Sequence, residues 1–388
     1  VDEEQGGSGH GAKVGSRGRA VVWPPMRKWW YASLLLWPAL PVAGKEYHVP
    51  PGDVAAFFAE LPGDATSVVF TEAAEYRSAE DIVLPDVPYL LIDGRGAKLV
   101  LGPRSNGFTR PVTDQKEAAR KVSSRYVIQH FSAIEGGRKA IDLQATLNST
   151  ITDLRLVGQS EAAIDLRFCL MARVQNVLVT NPGNKGIVVR HGDWPGASAS
   201  NSQSNSTVLE QCRVYAALTT TAAFTILNSG GVQLRDCISE GAPVDYDVFV
   251  SAVTNGDETA RANNTVVKSF TVDNFHVEHN VRKASIYVNM PHQSSVMLRN
   301  VYWNGRFTAP VVLYAGGQLN IRDIGWFTPD FRIGTRVGNP RIHIRDCHSQ
   351  LRVEQGGGTR SGVLQLIDPF PGHTALDLTR VVVASPAK

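Results

Sequence analysis

The sequence is poor in cysteine, with 4 in 388 residues. A chain this long with so few cannot rest on a disulfide framework, so its stability must come from packing. It is also short of charge. Asp, Glu, Lys and Arg make up 19% of it, and the formal net charge is only +3. So small a balance excludes the basic footprint of a nucleic-acid-binding protein. The 43% hydrophobic content excludes a disordered chain. The apolar run from Trp29 to Leu40 is too short for a comfortable permanent membrane span. No Ca²⁺-binding repeat of the Gly-Gly-x-Gly-x-Asp kind is present, so neither a metal nor a cofactor is expected.

What is present is a repeat. Ala140-Ile141-Asp142-Leu143-Gln144, Ala163-Ile164-Asp165-Leu166-Arg167 and Gly186-Ile187-Val188-Val189-Arg190 are spaced by 23 residues. A second pattern runs further: apolar, any residue, a polar residue, apolar. It begins at Ile128, Ile151, Val174, Leu209, Leu234, Val272, Leu298, Ile321 and Ile344. Its polar column is His130, Asp153, Asn176, Gln211, Asp236, Asn274, Asn300, Asp323 and Asp346. Such residues suit a turn, with their side chains expected to bond backbone groups. The apolar column that follows includes Leu154, Val177, Cys212, Cys237 and Val301. A repeat in the twenties with period-2 alternation inside it predicts a coil that stacks on itself, since no single turn can bury its own apolar side. Cys212 and Cys237 fall on adjacent turns of that core column and are expected as small buried hydrophobes, with a bridge as the alternative.

Taken in order, residues 1–25 lack periodicity and are expected to be an extension foreign to the natural protein or without fixed structure. Residues 26–44 carry a basic start at Met26-Arg27-Lys28, a short apolar run and small residues, the three parts of a secretory signal. A buried apolar strand or helix is the alternative there. From residue 45 a single domain is expected to run to 388. Asp53 can cap a short helix to Leu61, so that residues 45–65 close the open end of the coil. Strands are predicted at 67–70, 82–84, 89–92 and 98–101, and a loop or short helix at 103–124. Regular coils are expected over 128–366, with residues 367–388 as a C-terminal cap.

The opening residues Pro51-Gly52-Asp53, Tyr76, Ile82-Val83-Leu84 and Leu91-Ile92-Asp93-Gly94-Arg95-Gly96-Ala97-Lys98-Leu99 resemble the start of parallel β-helix proteins of the pectate-lyase type. That superfamily includes pectate lyases, polygalacturonases and phage tailspikes. The likeness spans roughly residues 48 to 366. It implies an all-β fold, a single-stranded right-handed parallel β-helix with an N-terminal helical cap. The chain lacks the paired Asp-Asp and Gly-His-Gly of polygalacturonases and the Arg-x-Pro-x-x-Arg of pectate lyases, so no family catalytic residue carries over.

Candidate sites therefore come from the coil itself. Two steps of the repeat are long, and their extra residues follow the strands ending near Arg190 and Val253. Both insertions fall on one connection of the coil, where a site is expected on a rigid scaffold; tolerated surface insertions are the alternative. Stacking places Asp142 by Asp165, and Gln144, Arg167 and Arg190 in a row facing outward. One reading is a charged sugar-binding floor under His191, Asp193 and Trp194, with His191 as a proton-transfer group. The other is charges that simply pair off. A second outward column runs Glu210, Arg235, Asp273, Arg299, Arg322, Arg345, read as a salt-bridge ladder whose last arginines also suit carboxylates or sulfates. The third candidate puts His276 and Glu278 on one outer face beside Glu240 and Tyr302 on neighbouring turns. Two carboxylates one strand apart suit an acid and nucleophile pair; ordinary solvated surface is the alternative. The expectation is a secreted protein, extracellular or periplasmic, that acts on a polysaccharide, possibly an acidic one, as a lyase or glycoside hydrolase. A non-catalytic glycan-binding or fibre protein is the rival. No nucleic-acid partner and no stable membrane span after processing are expected.

Overall fold

A computed structural model of the chain describes residues 45–71, 74–251, 269–279, 281–290, 294–304, 309–314, 318–324, 331–335, 341–347, 351–355 and 363–366. The expected extension at 1–25, the signal segment at 26–44, the second long insertion and the cap at 367–388 lie outside the described residues.

From Arg125 onward the chain alternates between two parallel sheets. Arg125–Gly136, Thr150–Val157, Arg173–Thr180 and Val208–Ala216 belong to the first sheet; Lys139–Leu147, Ala162–Leu170, Lys185–Arg190 and Ala222–Leu227 belong to the second. Each strand pairs in parallel with the strand one coil further on. Every coil thus gives one strand to each sheet, and the chain is a parallel β-helix. The nine apolar positions from Ile128 to Ile344 form one unbroken ladder of paired residues. The first eight are at most 2% exposed. One continuous core fills the space between the sheets.

The polar column does more than turn the chain. Its eight members from His130 to Asp323 all hold left-handed backbone, with φ between 50° and 59°. Asn, Asp and His tolerate that region better than other residues carrying a Cβ. In a regular strand Ile151 and Leu154 would face opposite ways; one left-handed residue between them resets the alternation, and both point inward. Contrary to expectation, among the described residues no hydrogen bond runs from these side chains to the backbone. Five of them bond one another up the stack: Asn176 Nδ2 donates to Asp153 Oδ1 at 2.6 Å, Asn274 Nδ2 to Asp236 Oδ1 at 2.5 Å, and Asn300 Nδ2 to Asn274 Oδ1 at 3.0 Å. In-register stacking puts equivalent amides one strand apart, the arrangement in which amide ladders form.

The stack begins earlier than the sequence suggests. Lys45–His48 already pairs with Ala65–Val69, which pairs with Tyr89–Asp93, which pairs with Arg125–Gly136. The capping helix is Val54–Ala59, with Asp53 Oδ1 accepting from the Ala55 N–H at 3.0 Å. Phe58 packs its ring 5.8 Å from Phe108, so the helix covers the core of the first coils. Phe108 belongs to Asn106–Arg110, a buried strand within a stretch expected to be loop or helix. Gly107 lets it join the stack, because a Cβ there would meet Ala140 O at 2.2 Å. A helix, Gln115–Lys121, follows. Cys212 and Cys237 are buried free thiols.

Asn176→Val should lower unfolding stability by about 1–3 kcal/mol, because a β-branched side chain resists left-handed backbone. Asn176→Gly should cost less, losing only the ladder hydrogen bond. Urea midpoints that rank the two variants the other way would refute this role for the column.

Candidate functional site

Three groups of polar residues stand out, one on the outside of each sheet and one in the core.

On the second sheet the register is as anticipated: Asp142 pairs with Asp165, and Gln144, Arg167 and Arg190 follow one another. Their charges close on themselves. Arg190 grips Asp165 with Nε at 2.9 Å and Nη2 at 3.0 Å, and Lys139 Nζ lies 2.8 Å from the same carboxylate. Arg167 Nη2 holds both oxygens of Asp142 at 2.6 and 2.7 Å. Asp193, from the inserted loop, takes one bond from Arg167 at 2.9 Å and one from Arg190 at 2.6 Å. Three cations thus meet three carboxylates. Burial alone would push the Asp165 carboxyl up; Arg190, then Lys139 and Arg167, outweigh it and hold it well below the usual carboxylate range.

The inserted loop is pinned over this cluster. Trp194 is 7% exposed and packs with Ala118, Ala145 and Phe168. Its Nε1 donates to Gln115 Oε1 at 3.0 Å, tying the loop to helix Gln115–Lys121. The ring is therefore a buried anchor and offers no open face to a sugar. His191 sits half-buried with Nδ1 3.4 Å from Asn228 Nδ2. Burial lowers its pKa, helped by Arg190 and opposed by Asp193, so it is neutral near pH 7.

On the first sheet the residues after the left-handed bend form an exposed strip. Arg213, Ile238, His276 and Tyr302 follow one another on successive coils. Beside them Tyr215 pairs with Glu240, and the Glu278 N–H donates to Ser239 O one coil back. Tyr215 and Tyr302 are 47% and 45% exposed. The His276 and Tyr302 rings lie 4.9 Å apart, and His276 Nε2 stands 3.4 Å from Glu278 Oε1 with no hydrogen bond to complete it. Glu240 is mostly buried and held by Arg213. The structure thus brings His276, Glu278, Glu240 and Tyr302 together. Arg235 lies apart from them, on the other side of the bend at Asp236, with Gln233 as its partner. In its column, among the described residues, part of the expected ladder forms: Asp273 pairs with Arg299, and Arg322 reaches its neighbour Asp323 at 3.8 Å.

The third group escaped sequence reasoning. Asp247 and Ser285 occupy an interior column that also holds Gly107, Ala140, Ala163, Gly186 and Ala223. His279 Nε2 lies 2.5 Å from Asp247 Oδ1 and 3.1 Å from Ser239 Oγ, and its Nδ1 donates to Ala242 O at 2.9 Å. Ser239 and Ser285 each donate to Asp247 at 2.7 Å, and Trp303 Nε1 donates to Ser285 Oγ at 2.9 Å. The available signal was an aspartate where the repeat demands a small apolar residue. All members are buried, so the network braces the core. Burial would lower the His279 pKa, but Asp247 and two backbone carbonyls override it and raise the value.

Among the described residues no cluster of His, Cys, Asp or Glu is placed to hold a metal ion. No family model matches the chain, and no curated protein matches it.

Asp165→Asn leaves Arg190 and Lys139 buried without a full countercharge and should cost about 3–5 kcal/mol of unfolding stability; a loss under about 1 kcal/mol would show the cluster to be loosely solvated. A His with a raised folded pKa stabilises fully below its unfolded value, ordinarily about 6.5, and less as pH rises through the folded value. Wild type should therefore lose stability relative to His279→Gln as pH rises above about 6.5. Parallel stability curves for the two proteins would contradict the ion pair.

Proposed function

We propose that the protein is an exported carbohydrate-active β-helix protein that lays a polysaccharide along the exposed strip of its first sheet and hydrolyses it there. The observation that carries this reading is the strip itself: two open tyrosines, a half-buried histidine and Glu278, with the buried Glu240 beside them, on successive coils. Aromatic faces bury the apolar side of a sugar ring while their polar tips remain wet. Adjacent coils lie about 4.8 Å apart, close to the roughly 5–5.5 Å between the carboxyl groups of a retaining glycosidase. Glu240, held by Arg213, suits the nucleophile. Glu278, more exposed and next to His276, suits the proton donor.

The resemblance of the chain's opening to the pectate-lyase superfamily supports the same substrate class, as does the signal-like segment at 26–44 for export. No helix among the described residues is long and apolar enough to cross a membrane. A lyase using His191 with Arg167 or Arg190 is less favoured, because both guanidinium groups are spent on Asp142, Asp165 and Asp193. Binding without cleavage has one observation in its favour: Glu240 is tied up by Arg213.

Incubation with a polysaccharide panel, scoring new reducing ends and the absorbance of unsaturated products, tests the reading. New reducing ends without unsaturation are expected, and Glu240→Gln and Glu278→Gln should each slow the reaction by about 10²–10⁴. Full activity in both variants refutes the assignment. Unsaturated products abolished by His191→Ala would move the chemistry to the second sheet. Binding without any product would leave the strip a glycan-recognition surface.

A further inference from the structure

A cleft of about 350 Å³ opens where the chain passes from the second sheet to the first, lined by Arg125, Asn148, Met171, Arg173, Ser206 and Val208 among others. It is separate from the exposed strip, which lies beyond the bends at the other end of the first-sheet strands. Asn148, Met171 and Ser206 are the equivalent turn residues of three successive coils, with φ of 55°, 56° and 57°. Asn and Ser are ordinary turn residues. A methionine in left-handed backbone that stays 56% exposed is not explained by turn chemistry or by core packing.

The cations here are under-used, unlike those over the second sheet. Among the described residues no carboxylate meets Arg125; its guanidinium lies 5.7 Å from the Tyr89 ring centroid. Among the described residues the Arg173 guanidinium meets one carboxylate, Nη1 to Glu210 Oε2 at 3.4 Å, and its side chain is 51% exposed. Two guanidinium groups therefore keep most of their N–H donors free, in forks that match the paired oxygens of a carboxylate or sulfate. The Asn148 amide and Ser206 hydroxyl add donors from the turn, and Met171 and Val208 supply an apolar wall.

We infer that this cleft is a binding site for an organic oxyanion, a carboxylate or a sulfate ester, carried on a ring whose apolar face rests on Met171. Arg125 and Arg173 take the anion, and Met171 adapts its unbranched chain to the ring. The inference stands apart from the cleavage reading, since neither arginine belongs to the strip.

The test is calorimetric titration of the full chain at low salt with four probes: glucuronate, glucose 6-sulfate, glucose and inorganic sulfate. Both charged sugars, or one of them, should bind at least tenfold more tightly than glucose and than inorganic sulfate; their ratio tells which anion is preferred. Arg125→Ala and Arg173→Ala should each weaken that binding at least tenfold, and Met171→Ala should weaken the charged sugars while leaving inorganic sulfate unchanged. Circular dichroism checks that these surface variants keep the fold. Glucose binding as tightly as the charged sugars, inorganic sulfate matching them, binding that survives Arg125→Ala, or no binding of any probe would each overturn the inference.

Discussion

Everything in this molecule depends on coils stacking in register. A single coil has an apolar inner edge that it cannot cover, and only the next coil buries it. Parallel pairing then fixes which side chains meet: residues a full coil apart become neighbours one strand spacing away. The same constraint builds the core ladder from Ile128 to Ile344, the amide ladder of the bends and the outward columns.

Register also makes like residues stack on like, which is harmless for isoleucine and costly for charge. The second sheet meets the problem by neutralisation. Asp142, Asp165 and Asp193 are interleaved with Lys139, Arg167 and Arg190 until each charge has a partner, and Trp194 holds the loop that supplies the last carboxylate. The first sheet leaves its polar groups less completely satisfied. Tyr215, Tyr302 and Glu278 remain accessible, while His276 is half-buried and its covered Nε2 has no hydrogen bond. A surface whose groups are already paired has little to offer a ligand, and one whose groups are open has much. That contrast, more than the residue types, separates the two faces. The interior network around Asp247 obeys the same rule, because a buried carboxylate persists only when its oxygens are bonded.

The coil, its register and the identity of its outward neighbours were legible from spacing alone, because a parallel stack turns sequence period directly into contact. The meeting of Asp142 with Asp165 and of His276 with Tyr302 followed from that. The bend column was visible as a run of Asp and Asn, but its ladder bonding was not, since spacing says nothing of how an amide rotates. The buried strand Asn106–Arg110 was hidden by its polar composition, including an Arg110 that reaches Asp86 and backbone carbonyls from inside the structure. Trp194 looked like a sugar platform because a tryptophan in a loop beside charges reads the same whether its ring is open or covered.

The sequence by itself determined that the chain is a stacked coil and which residues lie above which, because both are consequences of period. Only the tertiary structure decided which of those stacked groups are spent and which are free. Side-chain pairing depends on loops and helices arriving from elsewhere in the chain, as Asp193 and Gln115 do, and no repeat length encodes where they land.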